Sequence, residues 1–309
     1  MTTANGHLVL VGTTASGKSA LAMEMARMRP GVELVSMDSM QVYRGMDIGT
    51  ATPTPQEQAE VRHHLLDVVD PGDEFSVSAF KEMCAAVVED LDDRGVRGVL
   101  VGGTGLHVRA VVDDLEIPGR FPEVRDDLES EADTAVLHGR LRELDPVAAA
   151  RMEPTNRRRV VRALEVCIGA GRPFSSFGPG LGSYPESPFT QVGVHLPRHV
   201  VDRRIAERYE QQVAEGFVDE VRTLASLPGG LSRTASQALG YRQVLEHLEG
   251  RCSLEEAVGA AVVATRRFAR RQERWFRRDP RVTWMDAEDD PMEVLNQVLA
   301  YFDGCSDRR

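Results

Sequence analysis

Eight residues near the start of the chain carry the densest chemical signal. They are Gly12-Thr13-Thr14-Ala15-Ser16-Gly17-Lys18-Ser19, a G-x-x-x-x-G-K-[ST] spacing. The glycines let backbone N–H groups converge on phosphate oxygens, helped by the positive end of a following helix dipole. In that reading Lys18 neutralises charge on the distal phosphate and the Ser19 hydroxyl holds Mg²⁺. The loop alone leaves the reaction open: a kinase, a GTPase and a diphosphate-releasing transferase can all use it. Asp38 is the next candidate. It follows an apolar run, Val32 to Met37, and suits either a metal-side carboxylate or a general base. Ser39, Met40 and Gln41 follow in the same mouth. In Gly102-Gly103-Thr104-Gly105 the glycines permit close backbone approach and Thr104 can hydrogen-bond a ligand, although a tight strand-to-helix turn reads the same way.

Two basic clusters stand out. One is Arg157-Arg158-Arg159 with Arg162. The other is RRFARRQERWFRR, 266 to 278, where Phe268, Trp275 and Phe276 interleave with arginines. A solvated helix face is the ordinary meaning of a charge run. Here a polyanion partner is favoured, because phosphate neutralisation is the main source of such affinity. Arg204 and Arg208 fall one helical turn apart, and either can reach a phosphate crevice. The adjacent pair His63-His64 does not share a helix face and reads as structural.

The elements that must position these residues follow from periodicity. Short apolar runs at 7–11, 32–37, 98–101, 191–196 and 282–285 read as strands. Helical patterns at 18–28, 77–94 and 254–278 lie among them, the last opened by a Ser253/Glu256 capping box. Strand–helix alternation predicts an α/β fold: a parallel-sheet core bearing the phosphate loop, with helices on both faces. Residues 116–189 carry helical pattern without a strand and end in a Gly/Pro/Ser-rich loop. They predict a small helical insertion within a core of residues 1–115 and 190–309.

Composition narrows the class. The 309 residues are 42% hydrophobic, enough for a large core, and carry a net charge of −11. That charge excludes a chain-wide nucleic-acid field but not a local basic patch. The four cysteines, Cys84, Cys167, Cys252 and Cys305, form no zinc spacing and read as reduced thiols. No apolar run reaches the ~18 residues of a membrane span, and the N-terminus lacks signal-peptide features. The expectation is a cytoplasmic protein for which a monomer suffices.

Taken in order, GTTASGKS, DSMQVYRGMDIGTA, HHLLD, LVGGTGLH, RRVVRALEV, RIAERYEQQVAEGFVDEV, QALGYRQ and ATRRFARRQERWFRR resemble the tRNA dimethylallyltransferases, across about residues 8 to 285. The resemblance implies transfer of a dimethylallyl group from dimethylallyl diphosphate to N6 of adenosine 37 of tRNA, with diphosphate leaving and Mg²⁺ assisting. It implies that Gly12 to Ser19 grip the diphosphate, that Ser19 holds the magnesium, and that Lys18 and Arg208 stabilise the leaving charge. Asp38 would take the proton from the adenine amine. Asp38 to Gln41 and Thr104 match positions near the target base, and Arg158, Arg159, Val160, Val161 and Arg162 match a tRNA-contacting segment. The insertion would then clamp the anticodon stem-loop.

Three positions depart from the family pattern: Thr13 replaces proline, Thr52 lysine, and His107 tyrosine. No Cys/His cluster follows Arg278, which implies the bacterial type. Two other readings compete. A small-molecule kinase or adenylate prenyltransferase needs the loop and Asp38 but neither basic cluster. An RNA-binding NTPase or scaffold needs no transfer at all.

Overall fold

Strand formation begins with LVLVG, where Leu8, Val9, Leu10 and Val11 are all fully buried. Successive strand residues point to opposite faces, so unbroken burial means that both faces of the sheet are covered here. This strand, β1 (Leu8–Gly12), sits inside a six-stranded sheet with β2 (Glu33–Ser36), β3 (His63–His64), β4 (Gly98–Gly102), β5 (Thr190–His195) and β6 (Val282–Asp286). The order is β3-β2-β4-β1-β5-β6 and every pairing is parallel. The computed structural model describes residues 6–305.

The α/β parallel-sheet expectation therefore holds, and five of the six strands lie where apolar runs predict them. The exception is β3. Two histidines offer no alternation to read, yet they pair with Leu34 and Val35 of β2 as an edge strand. His64 Nε2 lies 2.6 Å from Glu33 Oε2, and His63 Nδ1 lies 2.7 Å from the Val61 carbonyl. The pair serves the sheet edge.

Each strand delivers its chain to the same edge. The helix Lys18–Met28 follows β1, the helix Val77–Asp93 precedes β4, and Gly105–Val112 follows it. The chain runs from β1 past β4 to β2, and from β4 across β1 to β5. Such a reversal opens a crevice beyond the carboxyl ends of the strands. The long helix Leu254–Phe276 opens with the expected reciprocal cap: Glu256 N–H donates to Ser253 Oγ, and Ser253 N–H donates to Glu256 Oε2.

By backbone contacts the chain divides into two units, Met1–Val112 with Glu186–Arg309, and Asp113–Pro185. The second contains no strand. Its helices Pro122–Ser130, Thr134–Leu144, Pro146–Ala150 and Arg157–Ala170 close on Leu128, Leu137, Leu141, Val160, Val161 and Leu164.

Candidate active site

The loop after β1 takes the shape that its glycines and small residues allow. Ala15 (φ 60°) and Gly17 (φ 77°) are both left-handed, and Ser16 N–H donates to the Thr13 carbonyl at 3.2 Å, closing a tight turn. The loop ends at the N-terminus of the helix Lys18–Met28, whose cap position, Gly17, supplies no side-chain acceptor. Ser16 Oγ is buried without a protein partner. Lys18 curls back over the loop, its Nζ donating to the Thr13 carbonyl at 3.3 Å. Ser19, in the first helical turn, is exposed.

Burial pushes the Lys18 ammonium down to about 8; the Asp38 carboxylate opposes this and the Arg208 guanidinium adds to it. Lys18 thus feels the charge of two groups distant from it in sequence. Asp38 lies two residues past β2, and its Oδ1 accepts from Met40 N–H at 2.8 Å, which fixes the turn. The second carboxylate oxygen, Oδ2, takes no part in that turn. Ser39 Oγ sits 3.4 Å from Thr104 Oγ1, tying the loop after β2 to the loop after β4. Gln41 Oε1 accepts from Ser36 Oγ at 2.7 Å, and its amide nitrogen donates to the Ala51 carbonyl at 3.2 Å. The Met40 side chain packs against the core of the sheet unit.

Sequence reasoning passed over Gln272. It is buried, and its Oε1 accepts from Thr14 N–H while its Nε2 donates to the Gly103 carbonyl, both at 2.8 Å. Thr14 N–H is therefore committed to the long helix. A Cβ on Gly103 would come within 2.6 Å of this amide, and one on Gly105 within 2.3 Å of the Trp275 ring. These two glycines are needed for close approach of the chain's own side chains. The only sequence clue is that Gln272 is the one neutral polar residue inside the arginine run.

His107 also borders the mouth. It is buried against Phe80, ring centroids 4.7 Å apart, and its Nδ1 has no partner. Burial pushes its imidazole down to about 4 against the pull of Asp38, so it is neutral at pH 7. Thr52, the second departure, bonds Thr50, their hydroxyl oxygens 2.8 Å apart.

The basic clusters sort differently from one another. Arg267, Arg271 and Arg274 of the long helix are exposed, as are Arg277 and Arg278 just past its end. Its aromatics are less available than their spacing suggests. Phe276 is buried in the core, Trp275 lies under Gly105, and Phe268 has Arg271 over its ring at 5.6 Å. In the helix Arg157–Ala170, Arg158 and Arg159 are exposed, whereas Val160 and Val161 are fully buried in that unit's core. Arg162 is held at home, donating to Glu165 Oε1 at 2.8 Å and to the Pro118 carbonyl at 2.7 Å.

A parallel α/β sheet with a lysine-bearing glycine loop and a carboxylate at one mouth is an architecture of phosphate-handling enzymes. The family described as IPP transferase matches residues 41–279. The tRNA dimethylallyltransferase of Kineococcus radiotolerans is 48% identical over 94% of this chain and 95% of its own length. That of Thermobifida fusca is 49% identical over 96% of each. Among solved structures, the tRNA isopentenylpyrophosphate transferase of Bacillus halodurans superposes with a TM-score of 0.71 at 36% identity, covering 98% of this chain and 99% of that one. A eukaryotic dimethylallyltransferase acting on tRNA reaches a TM-score of 0.81 at 25% identity, covering 99% and 81%. The chain belongs to the IPP transferase family.

Proposed function

We propose that the protein transfers a dimethylallyl group from dimethylallyl diphosphate to N6 of adenosine 37 in tRNA, releasing diphosphate. The observation that carries this is Lys18 curled over the glycine loop, with the charges of both Asp38 and Arg208 acting on it. It is supported by relatives named tRNA dimethylallyltransferase that align end to end with this chain.

The diphosphate fits the loop from Gly12 to Ser19. The helix N-terminus and the unpartnered Ser16 hydroxyl supply donors, and Lys18 with Arg208 supply charge. As the carbon–oxygen bond to the prenyl group breaks, negative charge grows on the leaving diphosphate. Fixed cations there lower the barrier, because they need no rearrangement when the charge appears. Asp38 accepts the proton that N6 must lose, held by its bond to Met40 N–H. An exocyclic amine is a weak nucleophile, so positioning by Ser39, Gln41 and Thr104 matters as much as basicity. The base leaves its stack to reach this mouth.

Mg²⁺ retains most of its water and takes few protein oxygens. That suits a site offering the Ser19 hydroxyl and, among the described residues, no cluster of three or more His, Cys, Asp or Glu. Bound there with the diphosphate, it would neutralise leaving-group charge.

Exposed Arg158 and Arg159 of the insertion and the arginines of the long helix take phosphates of the anticodon stem-loop, recognised by shape and backbone. No described helix is long and apolar enough to cross a membrane. A monomer working on free tRNA in the cytoplasm meets these requirements.

The deciding measurement is mass spectrometry of nucleosides from unmodified tRNA incubated with protein, dimethylallyl diphosphate and Mg²⁺. Prenylated adenosine is expected. Its absence where a relative succeeds sinks the reading, and AMP as the better acceptor would favour an adenylate prenyltransferase. Asp38→Ala should abolish transfer while tRNA binding stays near normal; normal turnover in that variant would remove Asp38 as the base.

A further inference from the structure

The helix Phe217–Ala225 sends Glu220 toward the loop Asp47-Ile48-Gly49. Oε2 accepts from Asp47 N–H at 2.9 Å and Ile48 N–H at 2.7 Å. Oε1 accepts from Gly49 N–H at 3.1 Å and from the Tyr241 hydroxyl at 2.6 Å. Three consecutive peptide N–H groups thus share one carboxylate, an anion nest built from the chain itself. Hydrogen bonds to an ionised acceptor are roughly twice as strong as neutral ones, so this is a stiff clamp. Gly49 adds a steric constraint. A Cβ there would fall 2.3 Å from Phe217 and 2.4 Å from Tyr241, whose rings meet edge to face with centroids 5.0 Å apart. Only glycine lets the backbone lie against them.

The clamp has an outlet at its C-terminal end. The Ile48 carbonyl, in the same peptide as the clamped Gly49 N–H, turns away from Glu220 and accepts from Gln212 Nε2. The Gly49 carbonyl, one peptide further on, accepts from Arg208 Nη2 at 3.3 Å. Arg208 and Gln212 lie one turn apart on the helix Arg198–Ala214. We infer that Glu220 is a positioning residue for Arg208, acting through the backbone of Asp47 to Gly49 to aim the guanidinium at the leaving diphosphate. This rests on the proposed role of Arg208. A guanidinium on a long, rotatable stem contributes most to a barrier when its direction is set beforehand. The Gly49 carbonyl sets it, and Glu220 together with the Phe217 and Tyr241 rings fixes the Gly49 backbone from which that carbonyl extends. Nothing in Glu220 touches the reacting groups, so its influence must appear entirely through Arg208.

A double-mutant cycle on the single-turnover rate of prenyl transfer tests this. Glu220→Gln keeps the size but places an amide nitrogen against N–H donors, so the loop loosens. The expected result is a fall of about tenfold or more in the transfer rate with the KM for tRNA unchanged. Arg208→Ala should fall further, and the double variant should be no slower than Arg208→Ala alone. Losses that multiply in the double variant overturn the inference, as does a wild-type rate in Glu220→Gln. If Glu220→Gln does not fold, Tyr241→Phe removes a single bond to the same carboxylate. It should show a smaller loss that likewise vanishes in the Arg208→Ala background; a loss that persists there also overturns the inference. Wild-type turnover in Arg208→Ala would instead remove the role of Arg208 itself, a separate failure.

Discussion

Gln272 on the long helix holds Thr14 in the glycine loop, its side-chain oxygen 2.8 Å from the Thr14 nitrogen. The same amide donates to the Gly103 carbonyl. One buried side chain therefore joins the loops after β1 and β4. Replacing it with alanine leaves a buried donor and a buried acceptor without partners, worth about 1–3 kcal/mol each. Gln272→Ala should weaken diphosphate binding by about tenfold or more and lower the melting temperature. Calorimetric titration with diphosphate checks the first, and affinity equal to wild type would show that the bridge does not shape the loop.

Lys18 gives a pH signature. Its proton leaves near pH 8 in the unliganded protein, because burial disfavours the charged form. An anion binds the ammonium and not the amine, so diphosphate affinity should be level below pH 8 and fall about tenfold per unit above it. Lys18→Arg keeps its charge and should flatten that profile, whatever its absolute affinity. A wild-type affinity unchanged up to pH 9.5 would contradict the assignment.

The insertion helix makes a prediction about salt. Arg158→Ala and Arg159→Ala should each lower the slope of log affinity for tRNA against log salt by roughly 0.7–0.9. Val161→Ala should leave the slope alone and destabilise the protein by about 1–3 kcal/mol, since Val161 is core. Should Val161→Ala change the slope while the arginine variants do not, the two sets of roles have been exchanged.

His107 predicts acid lability. Its folded pKa of about 4 lies below its unfolded value, so the unfolded chain takes up the proton first. Stability is complete above pH 6.5 and is lost as pH falls toward 4, by up to about 3 kcal/mol. Urea midpoints of His107→Phe should drop less between pH 7 and pH 4.5 than those of wild type. Parallel curves would mean that another group controls the acid limb.

Which features were legible follows from the range of the interactions. The glycine loop and five strands are local patterns, readable within a few residues. The mouth position of Asp38 needs only the end of β2 and the rule that crevices open at strand carboxyl ends. Gln272 and Glu220 are different. Their partners lie 258 and 171–173 residues away in sequence, and a lone glutamine or a first-turn glutamate looks like any surface residue. The arginine run misled in one respect. Spacing shows that Trp275 and Phe276 interleave with cations, but the helix rotation that packs them inward is set by Gly105 and the core. The same limit applies at Arg158 to Arg162, where adjacent residues divide between surface and interior.

The insertion encloses its own apolar cluster, from Leu128 to Leu164, apart from the cluster around the sheet. Cooperative unfolding follows the boundaries of such clusters, and free energies of opening differ between them. Two opening free energies are then expected, one for each cluster. Hydrogen exchange should resolve two protection levels, with amides at Val160 and Val161 reporting one and those at Val9 and Leu10 the other. Mutations should be scored against the level to which they belong.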